Sequence, residues 1–255
     1  MASAEQPASR TYDQFAELYD QYVGEFDADL PFWRHVTADR NAVVEVGCGT
    51  GRILCHLLSS GRRLIGVDVS EEMLKIASNR LLEPVARGQV ELHLHDFCVG
   101  SLDLGPVTGA IVTYYTFNYI LRHPDRFLCH LFTSLASRAV VALDLFDPLP
   151  RRQPELDGVT RELTVVLDGA PILLEDTRRM NGAAETREQI YHLPGGDRTV
   201  VSRRRYYERA EIEDLLREAG FREVQFAPGY DHGLLASCAQ LGDFGSNYTV
   251  VGSKP

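Results

Sequence analysis

The sequence predicts an α/β fold in which a parallel sheet carries helices on both faces and is interrupted by an antiparallel insertion. Short β-branched segments alternate with helical segments up to about residue 146, as βαβ units require. The strand segments are almost continuously apolar, which is typical of parallel strands buried on both sides. From Val159 to Tyr207 strands follow one another without helices, and this predicts hairpins.

The chain begins with a predicted helical cap. Apolar and aromatic side chains recur at helical spacing at Tyr12, Phe15, Tyr19 and Val23. This spacing predicts a helix over Thr11–Val23. A second, shorter helix is predicted through Pro31, Phe32, Trp33 and Val36.

Five strands and three helices are predicted next. The strands are Ala42–Val46, Leu64–Val69, Val90–Leu94, Gly109–Thr113 and Ala139–Phe146. The helices are Arg52–Leu58, Ser70 to about Leu82, and about Asp125 to Ala136. Ser70 is a favourable N-cap, and Glu71 and Glu72 match the positive end of the helix dipole.

The insertion is predicted as four antiparallel strands within one α/β unit. The strands are Val159–Leu167, Ile172–Met180, Glu185–Leu193 and Arg198–Tyr207. The glycine-containing dipeptides between them suit tight turns with positive φ, at Asp168-Gly169, Asn181-Gly182 and Gly195-Gly196. A helix at Ala210–Ala219 and strands at Glu223–Phe226 and Tyr248–Gly252 complete the sheet. We divide the chain into residues 1–150 (helical cap and donor-binding core), 151–207 (insertion, a substrate lid or oligomer interface) and 208–255 (completion of the core).

Composition excludes several classes of protein. The net charge of -10 over 255 residues argues against binding a nucleic-acid backbone, which needs clustered basic residues. No apolar run approaches the length of a membrane span, and the polar first ten residues lack the apolar segment of a signal peptide. The five cysteines are odd in number and scattered, which is typical of reduced thiols. We therefore expect a cytoplasmic protein that has no membrane or nucleic-acid partner.

A glycine-rich turn from Glu45 to Gly51 lies between a predicted strand and a predicted helix. Glycines there allow a sharp turn and the close approach of a ligand. Asp68 ends the next strand, where a carboxylate can accept hydrogen bonds from ribose hydroxyls. These features predict a site for a nucleoside-type cofactor, and the alternative is a merely structural turn.

The details of this turn favour a cationic cofactor over a nicotinamide dinucleotide. The glycines Gly47, Gly49 and Gly51 are spaced G-x-G-x-G, not G-x-G-x-x-G. Glu45 lies two residues before the first glycine, where its charge would oppose a pyrophosphate. The sulfonium and α-ammonium groups of S-adenosylmethionine would be complemented by this carboxylate.

With these motifs, the chain resembles class I S-adenosylmethionine-dependent methyltransferases over nearly its whole length. The segments that carry the resemblance are Val43–Arg52, Gly66–Ser70, His95-Asp96-Phe97, Leu143–Pro148 and Tyr206–Phe221. More narrowly, the Tyr-rich first helix and the insertion resemble small-molecule N-methyltransferases that act on amino sugars and on amine-containing antibiotics, including lincosamide-type compounds. The resemblance implies a seven-stranded Rossmann-like sheet whose last strand is antiparallel, with an N-terminal helical cap and the β-insertion after strand 5.

The resemblance also implies roles for individual residues. Glu45, Gly47, Gly49 and Asp68 would contact the methyl donor, and Cys48 and Thr113 complete its predicted site. Val69, Met73 and Phe97 would surround the adenine, and Asp96 would bond its amino group. Tyr12 and Tyr19 would close over the methionine end of the donor. Tyr19 is also a candidate catalytic residue.

The acceptor is expected to lie beyond the fourth strand, along the aromatic run from Tyr114 to Tyr119. Aromatic rings suit an amine and exclude water. Phe117 and Asn118 are the preferred catalytic contacts and, with Tyr115, line the substrate; the alternative is that half of this run belongs to the core. The polar candidates for proton acceptance or orientation of the substrate are His123, Asp231 and His232, although each histidine has the alternative of an ordinary surface residue. Tyr230 is expected to bind the substrate with His232, because Gly229-Tyr230-Asp231 resembles a loop of the family that faces the active site.

Two further patterns have weaker interpretations. His93 and His95 share one face of a strand near Cys98, but no third metal ligand is evident, so no metal is predicted. Basic residues concentrate in the insertion, at Arg151-Arg152, Arg178-Arg179 and Arg203-Arg204-Arg205. They either contact an anionic part of the substrate or form a solvated outer face.

The leading hypothesis is therefore transfer of a methyl group to an amine nitrogen of a small molecule in specialised metabolism, such as antibiotic biosynthesis. Methylation of a hydroxyl, a nicotinamide-dependent oxidoreductase and a donor-binding protein without turnover are the alternatives. A homo-oligomer formed through the insertion is a further expectation.

Overall fold

The computed structural model describes residues 8–23, 26–58, 61–146, 152–238 and 246–255. Its strands are β1 (Ala42–Val46), β2 (Arg63–Asp68), β3 (Val90–Leu94), β4 (Gly109–Val112), β5 (Val140–Phe146), β6 (Thr160–Leu167), β7 (Ala170–Asn181), β8 (Ala184–Leu193), β9 (Gly196–Arg205), β10 (Arg222–Pro228) and β11 (Asn247–Ser253). Its helices are α1 (Ala8–Val23), α2 (Leu30–Val36), α3 (Arg52–Leu57), α4 (Glu71–Arg80), α5 (Leu82–Ala86), α6 (Pro124–Ser134) and α7 (Arg209–Ala219). Predicted residues Asp147, Pro148 and Arg151 lie outside the described part of the chain.

The core is a seven-stranded sheet in the order β10-β11-β5-β4-β1-β2-β3. The pairs within β3-β2-β1-β4-β5 are parallel, and β11 is antiparallel to both β5 and β10. Every residue of β1 is buried, which explains its place at the centre of the sheet. The predicted fold class is confirmed.

Helices cover both faces of this sheet. Apolar residues of α6 and α7, such as Leu128 and Leu216, pack on one face. Trp33 of α2 and Leu54 of α3 pack on the other. Because both faces are covered, the functional groups of the sheet gather at the carboxyl ends of its parallel strands.

Some predicted boundaries are wrong, and proline explains the clearest case. The helix expected to continue to about Leu82 ends at Arg80, and α5 begins at Leu82. Pro84 has no N–H with which to bond the carbonyl of Arg80, so one continuous helix would lose a hydrogen bond there. The strand predicted to end at Thr113 ends at Val112, just before two residues with positive φ, Tyr114 and Tyr115.

The insertion is a four-stranded antiparallel sheet in the order β6-β7-β8-β9, as predicted. Asp168 and Gly169 both have positive φ in the first turn, which a tight hairpin requires. One face of the sheet packs Leu174, Tyr191 and Val200 against Leu18 of α1. The insertion therefore rests on the N-terminal helix.

Within the described ranges, no helix has both the length and the apolar character needed to cross a membrane.

Candidate active site

The glycine-rich turn lies at the centre of the sheet's carboxyl edge. The amides of Gly47 and Cys48 donate to the carbonyl of Val67, at 2.7 and 3.1 Å. Gly47 has a φ of +75°, and a Cβ there would lie 2.4 Å from Oγ1 of Thr116. The turn therefore needs glycine both for its backbone conformation and for the close approach of the loop after β4.

Glu45 is a buried carboxylate with one free oxygen. Its Oε1 accepts a hydrogen bond of 2.7 Å from Oγ1 of Thr113, but its Oε2 has no hydrogen-bond partner among the described residues. Burial raises the pKa of Glu45 to about 8, against the lowering effects of Thr113 and of the Arg52 charge. A cationic group placed at Oε2 would satisfy this oxygen and favour the ionised form.

Asp68 ends β2 at the rim of the same turn. Its Oδ2 accepts from the Gly49 amide at 2.8 Å, and its Oδ1 accepts from the Ser70 amide at 2.9 Å. Burial raises its pKa, opposed by these backbone hydrogen bonds. Each oxygen keeps a lone pair, so the carboxylate can still accept from two neighbouring hydroxyls.

The predicted adenine residues lie beside Asp68, at the ends of β2 and β3. Val69 is half-exposed, while Met73 and Phe97 are buried. Asp96 uses Oδ1 to accept from the Cys98 amide at 2.8 Å. Leu94, which pairs with Asp68 in the β2–β3 ladder, is 59% exposed. The exposed apolar surface of Val69 and Leu94 suits a flat ring, and the sequence analysis missed Leu94.

Helix α1 forms a roof over this site. Oδ1 of Asp13 accepts from Oγ of Ser70, and Oδ1 of Asp20 accepts from Oγ1 of Thr50, both at 2.6 Å. Arg80 donates to the other oxygen of Asp20, Oδ2. The Tyr19 ring lies 3.7 Å from the position of a Cβ at Gly49. The roof is therefore fixed to the elements on both sides of the turn.

An aromatic wall faces the turn from the loop after β4. Tyr114 and Tyr115 have φ values of 51° and 63°, a conformation that costs energy for bulky residues and is concentrated at functional sites. The Tyr114 ring packs against Tyr19 and Phe26, with centroids 6.3 and 5.8 Å away. The Tyr12 ring contacts Tyr119 at 5.4 Å. This places the predicted tyrosines of α1 against the predicted acceptor wall.

A second buried carboxylate, Asp144 of β5, lies behind this wall. Oδ1 of Asp144 accepts from the Tyr115 amide at 2.9 Å, and Oδ2 accepts from the Tyr230 hydroxyl at 2.7 Å. Burial raises the pKa of Asp144 to about 7, and these hydrogen bonds oppose the rise. The sequence analysis noted Asp144 only as part of a strand ending.

Two of the preferred acceptor contacts are buried in the core. Phe117 is fully buried, with ring centroids 5.6 Å from Phe127 and 5.0 Å from Tyr207. Asn118 is also fully buried, and its Nδ2 donates to the carbonyl of Arg205 at 2.9 Å. In this arrangement both side chains support the wall from behind, and their contact with a substrate stays a prediction.

The predicted histidines lie at the surface. His123 is exposed and precedes α6 with a positive φ. His232 is exposed and stacks on His35, with ring centroids 4.1 Å apart. The structure does not bring either residue onto the aromatic wall described above. Their catalytic and substrate roles stay predictions.

The histidines of β3 have other partners. His93 Nε2 lies 3.6 Å from Glu91, and His95 Nε2 lies 2.8 Å from the carbonyl of Gly100. In the parts of the chain that the structure covers, no cluster of three or more His, Cys, Asp or Glu side chains could hold a metal ion.

An ion pair that the sequence analysis missed completes the site. Arg52 donates to both oxygens of buried Asp29, at 2.9 and 2.6 Å, and to the carbonyl of Phe26 at 2.9 Å. Its guanidinium also lies 5.6 Å from the centre of the Tyr114 ring. Because Asp29 is far from Arg52 in the sequence, no local pattern could indicate this pair.

The class of protein follows from this architecture. A seven-stranded sheet with an antiparallel β11, a glycine turn after β1 and an acid ending β2 define the class I methyltransferase fold. Residues 43–138 match the family model described as a methyltransferase domain. Residues 43–138 therefore form a methyltransferase domain, and its cofactor is S-adenosylmethionine.

Similar proteins agree with this assignment. An uncharacterised methyltransferase of Alkaliphilus oremlandii is 25% identical over 186 residues, which is 67% of this chain and 80% of that protein. The CcbJ methyltransferase of Streptomyces caelestis shares the fold at 20% identity and a TM-score of 0.75, covering 98% of this chain and all of that one (100%). The sugar N-methyltransferase KedS8 of a Streptoalloteichus species shares it at 18% identity and a TM-score of 0.71, with 100% and 96% of the two chains covered.

Proposed function

We propose that this methyltransferase acts on an amine nitrogen of a small molecule, held between α1, the aromatic wall and the insertion. The observation that carries the proposal is the Asp144 carboxylate, buried behind aromatic rings and bonded to Tyr115 and Tyr230. The match in fold to a sugar N-methyltransferase supports an amino sugar as the acceptor. We further propose a role in the biosynthesis of antibiotics or other specialised metabolites.

The residues around the turn fit the methyl donor. Glu45 offers a buried, unbonded oxygen to the α-ammonium, and Asp68 offers its remaining lone pairs to the ribose hydroxyls. Gly47 and Gly49 keep the turn clear of side chains, with Cys48 between them and Thr113 holding Glu45. Val69, Met73, Asp96 and Phe97 are proposed for the adenine, and Tyr12 and Tyr19 for the methionine end.

The chemistry requires an acceptor nitrogen with a free lone pair. The lone pair forms the new N–C bond while the C–S bond of the sulfonium breaks, and sulfur keeps that electron pair as S-adenosylhomocysteine forms. Burial against Tyr19 and Tyr114 disfavours a protonated amine and so lowers its pKa. Asp144, with a pKa raised to about 7, is matched to accept the released proton through Tyr230 near neutral pH. Holding the reactants in line can contribute about 7–11 kcal/mol.

These features favour nitrogen over oxygen. An alcohol is a much weaker acid than an ammonium group, so its methylation needs a stronger base or a metal. Methylation at oxygen is therefore an outcome that would contradict the proposal.

The test is product analysis with a labelled donor. The enzyme is incubated with S-adenosylmethionine carrying a deuterated methyl group and a panel of amines, amino sugars and alcohols, and fragment masses locate the label. Label on nitrogen is expected. Label only on oxygen, or no label although S-adenosylhomocysteine binds, would refute the N-methyltransferase.

A pair of tyrosine variants tests the role of Asp144. Y230F removes the hydroxyl bonded to Asp144, and we expect kcat to fall about 100-fold, the lower range of acid–base effects. Y248F removes a hydroxyl bonded to the backbone carbonyl of Tyr207 instead of to Asp144, and is expected to keep kcat within about twofold.

The three-part division of the chain and a homo-oligomer through the insertion remain proposals. Apolar side chains on the outer face of the insertion, Val166, Leu173 and Val201, are partly exposed and are compatible with such an interface.

A further inference from the structure

The inner face of the insertion carries a buried ion pair that does not close. Glu185 of β8 and Arg204 of β9 are direct partners in the antiparallel ladder, with side-chain exposures of 0% and 9%. Their nearest atoms, Oε1 and Nη1, are 4.0 Å apart, whereas charge-assisted hydrogen bonds are about 2.7–2.9 Å long. Among the described residues, neither oxygen of Glu185 nor Nε of Arg204 has a hydrogen-bond partner.

A second pair on the same face shows that this sheet can close buried ion pairs. Arg187 donates to Oδ1 of Asp176 at 2.5 Å and to the hydroxyl of Tyr22 at 3.0 Å. Arg178 bonds the other oxygen of Asp176 at 3.2 Å. Unsatisfied buried charges are costly, so the open pair at Glu185 and Arg204 needs a specific explanation.

The Arg204 guanidinium lies against two aromatic rings. Its guanidinium carbon lies 5.2 Å from the ring centre of Tyr119 and 4.9 Å from that of Phe146. In this position Nε of Arg204 has no hydrogen-bond partner among the described residues and can still donate. The buried Tyr206 hydroxyl lies beside the same pair: burial, and after it the neighbouring Glu185 carboxylate, raise its pKa, but no hydrogen bond of normal geometry joins it to a described residue.

The open pair adjoins the proposed acceptor wall. The Phe146 ring lies 4.4 Å from the Tyr115 ring and 5.6 Å from the Tyr206 ring. Tyr119, the other ring over Arg204, contacts Tyr12 of the roof. The proposed acceptor wall and the open pair therefore share the rings of Phe146 and Tyr119, so a molecule held against Tyr115 lies one ring away from Arg204.

The charges decide which group fits. An anion bound by Arg204 would be repelled by Glu185, and a cation bound by Glu185 would be repelled by Arg204. A hydroxyl is neutral, donates to a carboxylate and accepts from a guanidinium. Two hydroxyls on one ring would satisfy both groups.

We propose that Glu185, Arg204 and Tyr206 form an acceptor subsite for the hydroxyl groups of a polyhydroxylated ring. The subsite rests on the proposed function, because its ligand is part of the same acceptor. Glu185 and Arg204 select the acceptor here and have no part in the transfer of the methyl group.

The test compares cyclohexylamine with 2,3-dihydroxycyclohexylamine, which carries two additional hydroxyl groups. Each stereoisomer of the diol is measured separately. We expect the wild-type enzyme to prefer one diol in kcat/KM by roughly tenfold or more, as expected for hydrogen bonds to charged groups. The E185L/R204M variant replaces both charges by apolar groups, so its Tm is expected to stay level or rise. Its preference for the diol should fall to within about twofold.

The control and the binding measurement separate the possible failures. R187M breaks the closed pair, so it should lower Tm but keep the diol preference. Titration calorimetry of both probes into protein saturated with S-adenosylhomocysteine reads the subsite without turnover. If the wild-type protein binds the diol more tightly and the double variant loses this preference, the subsite is supported even when neither probe is methylated. In that case only the proposed N-methyltransferase activity is refuted. An equal preference in wild type and double variant, or none in wild type, overturns the subsite; E185Q and R204K provide the same comparison when the double variant does not fold.

Discussion

Glu45 is buried, and one of its oxygens has no hydrogen-bond partner within the described ranges. This combination links its proton to binding of the donor. With a pKa raised to about 8 by burial, the carboxyl is mostly protonated in the free protein at pH 7. The ammonium of the donor favours the carboxylate. Binding should therefore release up to about one proton per site at pH 7, and affinity should rise as the pH increases toward 8.

Titration calorimetry with S-adenosylhomocysteine in buffers of different ionisation enthalpy measures this release. E45Q keeps the shape of the side chain but has no proton to release. We expect it to bind about 10- to 100-fold more weakly, the range for a hydrogen bond to a charged group. Proton release that persists in E45Q would place the titrating group elsewhere.

Gly47 and Gly88 form a matched pair for the geometry of the turn. Both have positive φ, 75° and 69°, but a Cβ at Gly47 would meet Thr116 at 2.4 Å, and a Cβ at Gly88 would meet nothing within 4 Å. G88A should cost about 1–2 kcal/mol of backbone strain. G47A should cost about 1–3 kcal/mol more from overpacking and should weaken binding of S-adenosylhomocysteine, which denaturant unfolding and calorimetry would measure. Equal unfolding free energies for the two variants would contradict this account.

For single residues, the sequence predicts a functional role where that role depends on a local sequence pattern. Gly47, Glu45 and Asp68 could be found because their spacing within a strand–turn–helix unit is itself informative. Asp144 and Arg204 could not, because their unusual state depends on Tyr230 and Glu185, which only the folded chain brings next to them. Burial of Phe117 and Asn118 was equally hidden, since an aromatic run does not reveal which side faces the core.

Among the elements, α1 connects the donor site to the insertion. Asp13 and Asp20 bond Ser70 and Thr50 on either side of the glycine turn, while Leu18 packs under the insertion. The strands and the α/β alternation were predictable from apolar runs and turn residues. The packing of α1 was not, because its partners lie in distant segments.

Removing the two carboxylate contacts should loosen the roof without unfolding the core. In D13N/D20N the hydrogen bonds lose their charge, so we expect faster amide exchange in α1 and a several-fold faster release of S-adenosylhomocysteine. Tm should change little, since the roof is a locally opening element. Hydrogen exchange and stopped-flow release measure the two effects, and unchanged exchange in α1 would show that other contacts hold the roof.

For the whole molecule, buried carboxyls with raised pKa values set an unusual dependence of stability on pH, and Asp68 acts in the same direction as Glu45 and Asp144. Burial raises the pKa of Glu45 to about 8 and that of Asp144 to about 7, whereas both groups titrate near 4 when unfolded. Between about pH 4 and pH 7–8 the folded state therefore holds more protons than the unfolded state. The free energy of unfolding should fall as the pH rises through this window, by up to about 1.4 kcal/mol per pH unit for each group.

Urea unfolding of the unliganded protein from pH 5 to 8 measures this slope. E45Q/D144N removes two of these groups and should flatten the curve except for the part due to Asp68. Saturating S-adenosylhomocysteine should reduce the part of the pH dependence that is due to Glu45, because the ammonium group of the ligand stabilises the Glu45 carboxylate. Asp176 does not interfere, since Arg187 and Arg178 outweigh its burial and lower its pKa, so its contribution is lost only below about pH 4. A stability that rises from pH 5 to 8 in the wild type would mean that Glu45 and Asp144 are ionised in the free protein, and the donor would then meet a site already charged to receive it.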